Sequence, residues 1–204
     1  GNVSFYNENP EGAIYPTPVI GMLGLLENYK KATTQWFKHS GDIIALLGRT
    51  SSELGGSQYL KTIFGTVAGK IPSLDLKFIK RLIEVLLNLI EEDIISSAHN
   101  VSEGGLLVAL AECCFQPENL TGAELNFPLT FSKSAEYFNE SIERVVISFN
   151  AENLTKVQTI CEKYDIPLKL LGTVSDKPMF KVNQDIYVST EALYKAYQSG
   201  IKIN

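Results

Sequence analysis

Apolar positions in this chain fall into short blocks separated by polar, turn-forming stretches, and the spacing inside the blocks changes along the sequence. Pro16 and Pro18 exclude helix, and the apolar run that follows predicts a strand over residues 18–26. A polar stretch over 30–40 leads to Ile43, Ile44, Ala45, Leu46 and Leu47, which stand unbroken between Gly41 and Gly48 and predict a buried strand over 42–47. The loop RTSSELGGSQ then precedes a short helix near 59–64. Beyond Pro72 the period becomes helical: Leu76, Ile79, Leu82, Ile83, Leu86, Leu87 and Ile90 predict a helix over 74–92, with Ser73 as its N-cap. Its apolar positions cover more than one stripe, so a broad face is expected to be buried against a sheet.

The remaining blocks predict a strand over 93–98, an apolar helix over 104–115, and strands over 124–127 and 144–149. Asn150 caps a helix running to about Lys163. Strands follow over 168–174 and 179–188, the second interrupted at Asn183-Gln184, and a last helix starts at Ser189 or Thr190 and ends at Gly200. No internal repeat or low-complexity segment is present. The mixture predicts an α/β fold of mixed α+β character, a mixed sheet packed with helices. The polar break before Gly41 sets a domain boundary between residues 38 and 39.

Composition narrows the function classes. The length of 204 residues suits one sizeable core, or one domain plus part of another. A net charge of -5 and a pI near 5.2 argue against a nucleic-acid binder that works by neutralising phosphates. The longest apolar candidate, 74–90, is broken by Asp75, Lys77, Lys80, Arg81 and Glu84, and no run reaches the roughly 18 residues of a membrane span. Cys113, Cys114 and Cys161 lack CxxC spacing and read as reduced thiols of a cytoplasmic protein. The chain opens at Gly1 with residues that read as mid-domain, so an excised piece is expected.

Four segments carry candidate chemistry. In GNVSFYNE, Gly1 lets a backbone approach a phosphate, the Asn2 side-chain oxygen is a hard neutral ligand suited to Mg²⁺, and Ser4 offers a hydroxyl; the other reading is a polar turn. The segment 48–59 follows a strand and precedes a helix, an arrangement that can hold an anion on backbone N–H groups or serve as a plain βα loop. In 97–112, His99 reads as a hydrogen-bonded structural residue rather than a base. Ser102 or the Gly104-Gly105 pair there sets a helix start that Glu103 favours. In 137–144, Glu140 and Arg144 lie four apart and are expected to pair on a helix end.

Taken in order, GNVSFYNE, YPTPVIGMLGLLEN, GDIIALLGRTSSELGGSQYL, AHNVSEGGLLVALAE and FNESIERVVIS closely resemble the C-terminal half of formylglycinamide ribonucleotide amidotransferase (phosphoribosylformylglycinamidine synthase). That family belongs to the superfamily of aminoimidazole ribonucleotide synthetase, which ranks second because it differs at the ELGGS and AHNVSEGG segments. The resemblance implies that residues 1–38 are the tail of a barrel-forming domain and 39–204 a synthetase C-terminal domain. It implies that Gly1 contacts ATP, Asn2 binds Mg²⁺ and Ser4 contacts the formylglycinamide ribonucleotide. The family's catalytic histidine and acidic magnesium ligands lie upstream, so no catalytic residue is assigned in this chain, and alone it is expected to be inactive. The implied partners are the upstream half of the synthetase, a separate glutaminase subunit that supplies ammonia, and a small bridging subunit. Two departures stand out: Asn100 where the family usually has Asp, and Asn139 where it usually has Gly. A module that serves structure or subunit contact, with the chemistry elsewhere, is the alternative reading.

Overall fold

The computed structural model describes residues 8–10, 12–14 and 18–200, and these form two compact units that divide between Ala32 and Thr33. The first unit contains a short antiparallel pair, β1 (Glu8–Asn9) and β2 (Gly12–Ala13). It also contains a 3₁₀ turn, Tyr29–Lys31, where the Asn28 side chain accepts from the Lys30 N–H at 3.1 Å. The strand expected over 18–26 is not formed. Val19, Leu23 and Leu25 are 95, 102 and 101% exposed. A strand needs a ladder partner as well as an apolar run, and β1–β2 is the one ladder among the described residues of this unit.

The second unit contains β3 (Ile43–Gly48), α1 (Gln58–Phe64), α2 (Leu76–Glu91), β4 (Ser97–Asn100), α3 (Gly105–Cys113), β5 (Gly122–Leu125) and α4 (Lys133–Phe138). It continues through β6 (Arg144–Phe149), α5 (Leu154–Lys163), β7 (Leu168–Ser175), β8 (Met179–Val182), β9 (Ile186–Ser189) and α6 (Thr190–Ser199). Seven strands form one sheet in the order β4-β6-β3-β7-β5-β8-β9. Neighbours run antiparallel except β5 and β8, which are parallel, so the sheet is mixed as expected.

The interior strand β3 shows why its sequence is an unbroken apolar run over 43–47. Alternate residues of a strand point to opposite faces. Ile44 and Leu46 enter one core with Leu106, Leu110 and Cys113 of α3. Ala45 and Leu47 enter a second core with Phe78, Leu82, Val85 and Leu89 of α2 and Val157 and Cys161 of α5. Helices therefore cover both faces of β3, the condition that makes a strand apolar at every position. Phe37, just before it, is fully buried in the first core, and its N–H donates to the Cys113 carbonyl at 2.8 Å.

Several sequence expectations need correction. The N-cap of α2 is Asp75, not Ser73: its carboxylate accepts from the Lys77 and Phe78 N–H groups at 3.0 Å each. The Phe78 contact is the main cause of its lowered pKa. The buried face of α2 is one stripe, Phe78, Leu82, Val85 and Leu89, rather than a broad face, while Leu76, Ile83 and Leu87 remain 71, 51 and 51% exposed. The strand expected over 93–98 begins later, at Ser97. Ile94 and Ile95 are apolar because they fill the core under α2, and Asp93 turns the chain with a φ of 53°. The strand expected over 124–127 starts at Gly122. Asn183, at a φ of 49°, divides 179–188 into the hairpin β8–β9. Gly200 closes α6 as expected, but in a right-handed conformation.

The narrow stripe has a measurable consequence. Leu82→Ala should destabilise the chain by about 2–5 kcal/mol in urea unfolding, the range for a core leucine. Leu87→Ala should stay within about 0.5 kcal/mol, as surface changes do. Equal losses at both positions would contradict the packing of α2. Leu86, half-buried on the shoulder of the stripe, should fall between them.

Candidate functional site

At the end of β3, the β3–α1 loop, the starts of α1, α2 and α3, and the α4–β6 connection converge on residues 139–144. Asn139 is fully buried. Its amide group donates to Ser51 Oγ at 3.1 Å and to the Glu53 carbonyl, which fixes the β3–α1 loop. Its side-chain oxygen accepts from the Ser141 N–H at 2.7 Å, from the Ser141 hydroxyl, and from Arg144 Nη2 at 3.1 Å. Arg144, also fully buried, further donates to the Asn139 and Ser141 carbonyls. Burial pushes its pKa down to about 10, with Glu136 opposing the shift.

Glu140 and Glu143 complete the cluster. Glu140 Oε1 accepts from the Gln58 N–H at the start of α1 and from the Gly104 N–H before α3, both at 2.8 Å. Glu143 accepts from the Asp75 N–H before α2. One short segment thus ties down three helix starts, where N–H groups have no partner within the helix. The expected Glu140–Arg144 pair is not formed. Arg144 is the first residue of a strand, so a spacing of four does not place the two on one helical face, and Glu140 is committed to backbone N–H groups.

The same contacts decide what the segment 48–59 can hold. The α1 end carries its own anion, Glu140, and Ser57 caps the helix by accepting from the Leu60 N–H at 3.4 Å. Next to it opens a cleft of about 480 Å³ lined by Arg49, Ser51, Ser73, Asp75 and Glu143 among others. The Arg49 guanidinium lies 4.1 Å from the Phe78 ring centre, a cation–π contact that fixes it on the start of α2.

The glycine pair at the start of α3 is required as expected. Gly104 and Gly105 both take positive φ, and a Cβ on Gly105 would lie 2.6 Å from the Asn139 carbonyl oxygen. His99 Nε2 meets Glu112 Oε2 at 2.8 Å, joining β4 to α3, in keeping with its structural reading. Asn100 lies exposed at the end of β4. Gly1, Asn2 and Ser4, the residues expected to contact ATP, Mg²⁺ and the ribonucleotide, lie outside the described residues. Among the described residues, no group of three or more His, Cys, Asp or Glu side chains is placed to hold a metal ion.

Two polar clusters had no signal in the sequence because their members are far apart along it. Tyr137 donates to Asp185 at 2.8 Å and accepts from the Asn183 amide at 3.0 Å, while Lys133 pairs with Asp185. Burial pushes the Tyr137 hydroxyl up to about 12, and the hydrogen bond to Asp185 adds to the shift. The fully buried Glu136 pairs with Lys169 and accepts from the Thr130 and Phe131 N–H groups at 3.2 and 3.3 Å. Both clusters hang on α4, a six-residue helix too short to give a periodic pattern.

Residues 39–185 match the family described as AIR synthase related protein, C-terminal domain. The chain belongs to that family. Within it, the phosphoribosylformylglycinamidine synthase subunit PurL of Thermoanaerobacter sp. (strain X514) is 42% identical over 99% of this chain and 28% of its own length. The corresponding subunit of Anaeromyxobacter sp. (strain Fw109-5) is 37% identical over 98% of this chain and 27% of its own length. The chain therefore spans little more than a quarter of these relatives. A solved structure described as T. maritima PurL complexed with FGAR is similar in fold, with a TM-score of 0.68 and 20% identity over 81% of this chain and 30% of that one.

Proposed function

We propose that this chain is a portion of an ATP-dependent carbon–nitrogen ligase of purine biosynthesis. The reaction converts formylglycinamide ribonucleotide, ATP and ammonia to formylglycinamidine ribonucleotide, ADP and phosphate. The observation that carries the reading is 42% identity along essentially the whole chain to a subunit of phosphoribosylformylglycinamidine synthase. In that reaction ATP phosphorylates the formamide oxygen, and ammonia then displaces phosphate to leave the amidine.

In this reading, residues 1–38 close the domain before and 39–204 form the synthetase C-terminal domain. Gly1 lets the backbone approach ATP, and Ser4 orients the ribonucleotide through its hydroxyl. Asn2 offers one neutral oxygen to Mg²⁺, which takes few protein ligands and neutralises charge on the phosphates when bound. The histidine and acidic ligands that complete the site come from the upstream half of the polypeptide. A separate glutaminase supplies the ammonia, a small subunit bridges the two, and the assembly works in the cytoplasm.

The test is ATP- and ammonia-dependent amidine formation. The full-length polypeptide should be active and the 204-residue chain inactive. Asn2→Ala in the full-length polypeptide should lower the rate on the order of tenfold or more across a magnesium titration, as loss of an oriented ligand does. An inactive full-length polypeptide would sink the proposed reaction, and an unchanged Asn2→Ala rate would remove Asn2 from the site.

A further inference from the structure

We propose that the outer stripe of α2 seats a second helix, supplied by the part of the polypeptide that lies outside these 204 residues. The proposal rests on the reading above, in which the chain is a portion of a longer synthetase. Leu76, Ile83 and Leu87 fall at i, i+7 and i+11, nearly in line along α2, and are 71, 51 and 51% exposed. Ile79, Leu86 and Ile90 lie half-buried on the shoulder between this line and the core. The sheet is already covered through a different stripe, Phe78, Leu82, Val85 and Leu89. The outer residues therefore add little to the fold of this unit.

The spacing points to the kind of occupant. Leu76, Ile83 and Leu87 stand in one row along the outer face, the kind of ridge that seats in the groove of a neighbouring helix, while Leu86 and Ile90 already pack against the core beneath. Lys77, Lys80 and Glu84 border the stripe with charge, as at the margin of a helix seam. The area points to its source. Three such side chains bury roughly 200–300 Å² on the α2 side, judged from the transfer energy of a leucine or isoleucine. A freely diffusing partner or a second copy needs about 800 Å² on each side. A segment of the same polypeptide needs less, because tethering raises its local concentration. The chain spans 28% of the length of its relative from Thermoanaerobacter, which leaves ample polypeptide to provide such a helix.

Thiol labelling tests this directly. The native Cys113, Cys114 and Cys161 are all buried, so an introduced cysteine reports its own exposure. Ile83→Cys and Leu87→Cys are made one at a time, with Gln158→Cys on the exposed side of α5 as control. Maleimide reaction rates are compared in the full-length polypeptide and in the 204-residue chain. Both α2 thiols should react at least tenfold more slowly in the full-length polypeptide, with no difference at Gln158→Cys. Equal rates at α2 would overturn the proposal. Slowing within the 204-residue chain as its concentration rises would overturn it in favour of self-association. The synthetase assay separates the two layers of inference. Full-length polypeptide that is active but freely labelled at Ile83→Cys loses the helix seat alone. Inactive polypeptide with protected thiols loses the reaction alone.

Discussion

Asn139→Ala is expected to destabilise the chain by about 3–5 kcal/mol in urea unfolding, because it leaves several buried partners unsatisfied at once. The Ser141 N–H and the buried Arg144 guanidinium lose their shared acceptor, and Ser51 and the Glu53 carbonyl lose their donor. The hydrophobic cores are untouched, so the slope of the unfolding transition should stay the same while the midpoint falls. Asn139→Asp keeps the acceptor for Ser141 and Arg144 but loses the amide donor, so its effect should be smaller. A loss below about 1 kcal/mol in Asn139→Ala, within the range of one ordinary hydrogen bond, would show that the network is not closed as described.

Gly48→Ala should cost about 3 kcal/mol or more, from backbone strain combined with a steric block. Gly48 ends β3 with a φ of 104°, which a side chain tolerates poorly, and a Cβ there would lie 1.9 Å from the Glu143 carbonyl oxygen. The obstacle is backbone, in the residue just before β6, so it cannot swing aside as a side chain would. Replacing glycine by alanine where the conformation permits usually stabilises by about 0.4–1 kcal/mol, by restricting the unfolded chain. The sign of the change therefore decides the matter. A neutral or stabilised Gly48→Ala protein would mean that β3 and β6 do not approach in this way.

What could be read in the sequence was set by how local the cause was. β3 and β6 match their expected positions closely because burial on both faces makes β3 apolar over 43–47 and leaves only Arg144 and Ser148 polar in β6. The start of α6 was legible because Ser189 caps it through its own neighbourhood, accepting from the Ala192 N–H. The β4 start was misread because Ile94 and Ile95 are apolar for core packing, not for strand pairing. The strand expected over 18–26 failed for the related reason that an apolar run does not reveal whether a ladder partner exists. In the candidate site, the glycine pair and the structural character of His99 could be read. The hub could not. Asn139 was visible as a departure from the family's usual glycine, yet its partner Ser51 lies 88 residues away, and Glu140 reaches 82 residues back to Gln58. A spacing of four suggested a Glu140–Arg144 pair, which the strand conformation at Arg144 and the backbone partners of Glu140 remove.

The place of β3 in the sheet also sets the order in which the domain is assembled during synthesis. Both its neighbours, β6 and β7, come late in the chain. Residues 49–143 must all be made before the first of them begins. Through that interval an apolar strand with unpaired backbone on both edges waits for its partners, the state most open to wrong pairing with another chain. β3 gains a ladder on its first edge only when β6 emerges and on its second edge only with β7. The sheet is therefore closed around its oldest strand by its younger ones, and a chain interrupted before residue 144 would retain the most aggregation-prone segment of this unit without either strand that covers it.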